Sequence, residues 1–345
     1  YLAEEIKKVV KIPVIGVGVI RTPEKAEEVL RAGRVDFVAL GRALIADPHW
    51  PNKARQGSIE DIIKCISCNI GCIGERIFRD LHLRCAINPV TGREREFGTL
   101  PPTKRRKKVL VVGGGPAGME AARVAKLRGH RVTLAEKSAR LGGQLILGTV
   151  PPGKEKISWY SEYLIGQMKK SKVHVRLRQE VTPAYVQRFK PDVVIVATGA
   201  VPWIPDLPGI QSPRVVRAWD ILGGKKKVEH SAVLVAGGGT VGCETALFLA
   251  SRNRKVTVVE MLDSIALDME PINRLDLQAK IQQAGIEVIL KKPIRRLTEE
   301  GVVASDETGK EEFIRADWVV LALGAKPNGS LAKKLEGKVP ELYVI

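Results

Sequence analysis

A chain of 345 residues has room for two or three domains, and 44% hydrophobic and 27% charged residues exclude both a disordered and a collagen-like polypeptide. Lys and Arg (56) exceed Asp and Glu (38) by +18, which reads as a solvated basic surface favouring phosphate-bearing ligands, while 5% aromatic residues argue against a nucleic-acid binder built on base stacking. Five cysteines are too few for a disulfide scaffold and fit a reducing compartment.

No basic stretch followed by an apolar one opens the chain at Tyr1. The longest uncharged apolar stretch, Ser231 to Cys243, is too short and Gly-rich to span a bilayer. A cytoplasmic protein with no membrane partner is expected. Residues 1–57 carry an amphipathic stretch from Leu2 to Val10 and a short buried strand from Ile12 to Val17. A helix follows, with Thr22 as N-cap and Pro23 in its first turn, and then a second apolar strand from Val35 to Leu40, closed by Gly41-Arg42. Two strands cannot cover both faces of a parallel sheet, so this segment reads as the tail of something larger. Residues 58–107 hold four of the five cysteines. The basic run Lys104 to Lys108, following Pro101-Pro102, looks like the end of a linker.

From Lys108 onward the pattern strand, Gly-rich turn, helix, strand occurs twice. Val109 to Gly118 aligns with Val233 to Gly242, every position 124 residues after its counterpart, and Glu136 and Glu260 keep that interval. In a G-x-G-x-x-G turn the first glycine permits the tight turn, the second admits a pyrophosphate, and the third lets helix pack on strand. The helix N-terminus then faces the phosphates, and an acid at the end of the next strand accepts from the ribose hydroxyls. Gly113, Gly115 and Gly118 are followed by Glu136, and Gly237, Gly239 and Gly242 by Glu260. Each set lies between a strand and a helix, so two dinucleotide sites are predicted over an unliganded Gly-rich turn. Pro116, Ala117 and Lys137 fall in the first site; Thr240, Val241 and Glu244 fall in the second. Glu260-Met261-Leu262 has no adjacent base to receive a 2′-phosphate, which predicts NADH over NADPH.

Cys65, Cys68 and Cys72 lie within eight residues, and Cys85 follows after twelve more. A zinc ribbon places two C-x-x-C knuckles far apart; three bunched thiolates with a late fourth suit a cubane, so a [4Fe–4S] cluster is favoured over zinc or unliganded thiols. Cys243 has no C-x-x-C partner and reads as a small buried residue of the second fingerprint helix.

The first copy resembles the FAD-binding part of two-dinucleotide-domain flavoprotein reductases in Gly113 to Gly118, Leu141-Gly142-Gly143-Gln144 and Ala197-Thr198-Gly199. The resemblance implies that Gly143 and Gln144 lie along FAD, that the backbone of Val181 meets its adenine, and that the second copy is an inserted NAD domain. With the cysteine segment placed before it, the whole chain resembles the 2,4-dienoyl-CoA reductase and 2-enoate reductase group, of which trimethylamine dehydrogenase is a relative. The most specific marks are Cys65 to Cys72 and Cys85-Ala86-Ile87-Asn88-Pro89. This resemblance implies an α/β protein with residues 1–57 as the last two units of an FMN-binding TIM barrel and 58–107 as an iron–sulfur segment and linker. It implies an FAD domain over 108–222 and 316–345, with the NAD domain inserted at 223–315. Gly18 and Gly41 would give backbone N–H groups to an FMN phosphate and Arg42 a charged contact; one departure is Val19, where the group often has Arg.

The activity so implied is a relay from NADH through FAD and [4Fe–4S] to FMN, which reduces the activated C=C of a small substrate such as an enoate or enoyl-CoA. The chain reads as cut at both ends, with the substrate-polarising and proton-donating residues expected upstream of Tyr1, so no catalytic residue is assigned within it. Two alternatives remain. One is an amine dehydrogenase like trimethylamine dehydrogenase, whose second dinucleotide site does not work with NAD; the other is an FAD/iron–sulfur electron-transfer module serving a partner.

Overall fold

A computed structural model describes residues 1–229 and 232–345; Ser231, where the long apolar stretch begins, lies outside the described residues. The chain divides into two compact units, one formed by Tyr1–Arg106 with Arg123–His130 and Trp159–Val173, the other by the remainder. Among the described residues no helix is long and apolar enough to cross a membrane.

In the first unit the strands β1 (Ile15–Val17) and β2 (Phe37–Ala39) pair in parallel, Ile15 opposite Phe37. The helix between them, Pro23–Arg31, starts as expected: Thr22 accepts a hydrogen bond from the Lys25 N–H, and Pro23 occupies the first turn. The strand expected over Ile12 to Val17 is shorter and only half covered. Gly16 faces inward onto Val35, whereas Ile15 and Val17 are 62% and 73% exposed. Parallel strands need cover on both faces, and one pair cannot provide it. A small core of Ile20, Ala26, Trp50 and Ile62 forms on the covered side. Asp47, 1% exposed, fastens the following segment by accepting from Lys53 Nζ (2.6 Å) and the Ile63 N–H (2.9 Å).

The second unit holds the duplication. Its strands are β3 (Lys108–Val112), β4 (Arg131–Ala135), β5 (His174–Arg176), β6 (Val193–Val196), β7 (Ala200–Pro202), β8 (Val215–Arg217) and β9 (Ala232–Ala236). They continue through β10 (Lys255–Val259), β11 (Glu287–Ile289), β12 (Ile294–Thr298), β13 (Gly301–Ser305) and β14 (Glu311–Arg315) to β15 (Trp318–Leu321), β16 (Ala325–Pro327) and β17 (Glu341–Val344). One parallel sheet has the order β17-β6-β3-β4-β5 and the other β11-β10-β9-β15-β8. Both are built from near-continuous Val and Leu runs, as sheets buried on two faces require. Leu110, Val111, Leu134 and Val194 are fully buried in the first, and Leu234, Val235, Val258 and Val320 in the second.

The second sheet takes strands from both sides of the interval 223–315. Trp318–Leu321 pairs with β9 and Val215–Arg217 with β15, so both strands belong to the second sheet. A buried central strand such as β9 needs a neighbour on each side, and β15 is the strand that closes its open edge. The short strands β7 and β16 pair antiparallel with each other, and β12-β13-β14 form a small antiparallel sheet.

Candidate functional sites: two dinucleotide cradles and a cysteine loop

The two glycine turns have the same construction. A Cβ on Gly118 would lie 1.9 Å from the Gly113 carbonyl oxygen, and a Cβ on Gly242 1.9 Å from that of Gly237, so each helix packs on its strand through a glycine that admits no side chain. Gly113 (φ +114°) and Gly237 (φ +102°) take backbone conformations that glycine alone adopts readily. Glu136 accepts from the Gly114 N–H at 2.6 Å and the Ser138 N–H at 2.7 Å. Glu260 accepts from the Gly238 N–H at 2.5 Å and the Leu262 N–H at 2.9 Å. Each carboxylate is thereby held at the end of its strand with lone pairs left over for a ribose diol.

Around the first turn the structure gathers Gly143, against Gly115, and Gln144, whose amide lies 3.4 Å from the Ala200 carbonyl. Gly113 also abuts Ala197, and Thr198 donates to Asn328 O at 2.7 Å. Pro116 and Ala117 begin the helix Pro116–Leu127; Lys137 is exposed; Val181 is buried beside Val112 and Ala135. At the second turn Thr240 and Val241 open the helix Thr240–Ala250. Glu244, one turn further, forms a close ionic contact at 2.5 Å with Lys154, out of line for a hydrogen bond. Two lysines that the spacing around Glu260 did not reveal lie alongside it. Lys292 donates its N–H to Glu260 O and Lys291 its N–H to Leu262 O, but their ammonium groups pair with Glu312 (2.9 Å) and Glu307 (3.1 Å). The buried Cys243 thiol donates to Gly238 O at 3.2 Å, and burial, with Asp268, Glu260 and Glu244 nearby, pushes its pKa up to about 12. That thiol is inert at neutral pH.

In the first unit a π-helical turn, Ile70–Glu75, encloses Cys72, entered through Ser67 and Asn69 in the left-handed region (φ +56° and +60°). The Arg84 carbonyl approaches Gly71 so closely that a Cβ there would lie 2.2 Å from its oxygen, which lays Cys85 beside Cys72. Burial raises the Cys68, Cys72 and Cys85 thiols, and the neighbouring cysteines raise them further. Opposing this, backbone groups of Ile70 point at Cys68 and those of Ile87 and Asn88 at Cys85. Arg21 donates to Cys65 O (2.9 Å) and Ser67 Oγ (2.6 Å) beneath Trp159, and burial lowers its pKa. Among the described residues no three His, Cys, Asp or Glu side chains converge on one metal ion, the arrangement a single zinc needs.

The turn after β2 places Gly41 at the start of the short helix Arg42–Ala46, and Gly18 and Gly41 both face open space. Val19, 62% exposed, sits at φ +55°, strained for a β-branched residue. Arg42 donates from Nη1 to Asn69 Oδ1 in the cysteine loop at 2.5 Å.

Residues 107–342 match the family model described as pyridine nucleotide-disulphide oxidoreductase. The chain belongs to the pyridine nucleotide-disulphide oxidoreductase family. Residues 2–61 match the NADH:flavin oxidoreductase / NADH oxidase family, so the first segment is the end of a TIM barrel. Both matches are consistent with the 2,4-dienoyl-CoA and 2-enoate reductase group that the motifs resemble. An NADH oxidase from Thermoanaerobacter brockii is 50% identical over 100% of this chain and 54% of its own length. A cinnamate reductase from Clostridium sporogenes is 37% identical over 99% of this chain and 51% of its own length. A solved complex of 2-naphthoyl-CoA reductase with 2-naphthoyl-CoA superposes with a TM-score of 0.95 at 35% identity, over 100% of this chain and 52% of that one. The chain thus spans about half the length of the relatives it matches.

Proposed function

We propose that this chain is the electron-entry half of an NADH-dependent iron–sulfur flavoprotein that reduces an activated C=C bond in a small enoate or enoyl-CoA. The observation that carries the reading is the duplicated cradle, in which two strand-end glutamates are each clamped by two backbone N–H groups. When bound, the flavins exchange hydride and single electrons, and a cubane passes single electrons only, which is the chemistry such a reduction needs.

The residues supply binding and orientation. Glu260 takes the adenosine ribose of NADH, and its charge turns a 2′-phosphate away; the Lys291 and Lys292 ammonium groups are already paired, so they leave that preference in place. Glu136, Gly113, Gly115, Gly118, Gly143, Gln144 and Ala197 to Gly199 form the FAD cradle. Cys65, Cys68, Cys72 and Cys85 would hold a cluster. The fit rests on the donor set and its surroundings: four cysteines in one segment, backbone N–H groups directed at the Cys68 and Cys85 sulfurs, Arg21 on the Cys65 carbonyl and Arg42 on Asn69. A four-iron cluster is broader than one ion, so its thiolates stand further apart than those of zinc. Gly18 and Gly41 leave room for an FMN phosphate, and Arg42 would turn toward it from Asn69. The relatives supply the substrate class, since one acts on cinnamate and another binds 2-naphthoyl-CoA.

The test is anaerobic titration of the chain, reconstituted with FAD, iron and sulfide, by NADH. Bleaching of the flavin band, with iron and acid-labile sulfide near four per chain, is expected. Bound FAD that NADH leaves oxidised would overturn the nicotinamide assignment, and absence of acid-labile sulfide would overturn the cluster.

A further inference from the structure

The repeat also exposes a difference between the two cradles. After each strand-end glutamate the chain returns to the glycine turn through one backbone hydrogen bond: Gly142 N–H to Gly114 O at 2.8 Å in the first copy, Ala266 N–H to Gly238 O at 2.7 Å in the second. The same interval of 124 sets Gln144 opposite Asp268. In the first copy it is backbone that faces the start of the fingerprint helix, with the Gly143 Cα 3.9 Å from where a Gly115 Cβ would stand. In the second a carboxylate stands there. Asp268 Oδ1 accepts from the Thr240 N–H at 2.8 Å and from Thr240 Oγ1 at 2.9 Å. Both its oxygens lie 3.7 Å from where a Cβ on Gly239 would be. The N–H groups and positive dipole end that the fingerprint offers to a pyrophosphate are occupied by an anion of the protein itself.

The loop is fastened around that contact. Arg274 donates to Ile265 O at 3.1 Å and to Ser264 Oγ, and Glu270 caps the next helix through the Ile272 and Asn273 N–H groups. Ala266 is held at φ +53°, a conformation costly for a residue with a Cβ. The Asp268 side chain is exposed, so it can swing into water without breaking any of these anchors.

We infer that Asp268 is an internal stand-in for the dinucleotide pyrophosphate and sets the affinity of the second site. The inference rests on the reading of that site as the one for NADH. Binding there exchanges one anion for another on the same helix N-terminus, and the displaced carboxylate stays close enough to repel the incoming phosphates. Among the described residues the first cradle shows no such competitor. A resident cofactor and an exchangeable one are thus separated by a single side chain on otherwise matched frames.

The experiment is calorimetric titration of the full chain, wild type, Asp268→Asn and Asp268→Ala, with ADP-ribose, which carries the pyrophosphate, and with adenosine, which does not. Both variants should bind ADP-ribose about tenfold tighter than wild type, ~1.4 kcal/mol, with adenosine unchanged. Bound FAD per chain serves as the check on folding. ADP-ribose affinity unchanged or weaker in both variants overturns the inference, because a carboxylate that only braces the loop, or that grips the ligand directly, gives that result. If neither wild type nor variants bind ADP-ribose or NADH, the nicotinamide reading falls as well; binding that appears only in the variants upholds the inference.

Discussion

Gly71 and Arg84 meet so tightly that the carbonyl oxygen of one stands 2.2 Å from where the other would carry a methyl group. This contact joins two stretches of the cysteine segment that the sequence separates. Gly71→Ala must push the Arg84 stretch away, at a cost of about 1–3 kcal/mol, and with it Cys85. Iron and acid-labile sulfide after anaerobic reconstitution should fall by more than half, while FAD per chain is unchanged. Full iron content in this variant would mean that the Cys85 stretch is not held by this approach.

The equivalent glycines of the two cradles give a paired test. A methyl group on Gly118 or Gly242 would lie 1.9 Å from a carbonyl oxygen of its own turn. Gly118→Ala should lose most of its bound FAD. Gly242→Ala should keep FAD, measured by absorbance, yet lose bleaching by NADH. The reverse pattern would exchange the assignments of the two copies.

Glu260 is placed to decide between NADH and NADPH. Glu260→Gln preserves the shape but removes the charge from a group that accepts two backbone N–H bonds at 2.5 and 2.9 Å. Charge-assisted hydrogen bonds contribute roughly 1.5–3 kcal/mol, so the apparent second-order rate of flavin reduction by NADH should fall about tenfold or more. The NADPH rate should rise toward it, since the repulsion has gone. Stopped-flow reduction with each cofactor checks this, and an unchanged ratio would leave the preference with another group.

Cys243 sets a pH limit on the second sheet. Its thiol is held at about 12 against an ordinary 9.0, so between those values the folded chain keeps a proton that the unfolded chain loses. Stability is therefore unaffected below about pH 9 and declines as pH rises toward 12, by up to ~4 kcal/mol. Thermal melts of wild type and Cys243→Ala from pH 8 to pH 11 should converge as pH rises, wild type losing its advantage. Iodoacetamide at pH 8 should leave Cys243 unmodified in the folded chain. Rapid alkylation there would contradict its burial.

Much of this protein is written in local spacing. The two fingerprints, the acids after them, the repeat interval and the cysteine gaps are short-range patterns, each needing only one strand, one turn and one helix to mean something. The Thr22–Pro23 helix start is of the same kind, and the structure shows it as expected. Contacts between remote segments were not legible in this way. The strand Trp318–Leu321 looks like any buried run, and only its pairing with β9 assigns it to the second sheet. Arg42 is bonded to Asn69, a partner 27 residues away that no spacing rule names. Asp268 had one available signal, its place opposite Gln144 in the repeat, but what it does there depends on a helix end 28 residues earlier.

By itself, then, the order of residues determined where the two glycine turns and their strand-end glutamates lie, because glycine conformation and helix dipoles act within a few residues. Only the tertiary structure decided which carbonyl abuts Gly71, which strands share a sheet and which carboxylate faces the second helix. Those outcomes depend on close approaches between distant stretches, and packing settles them once the chain has folded.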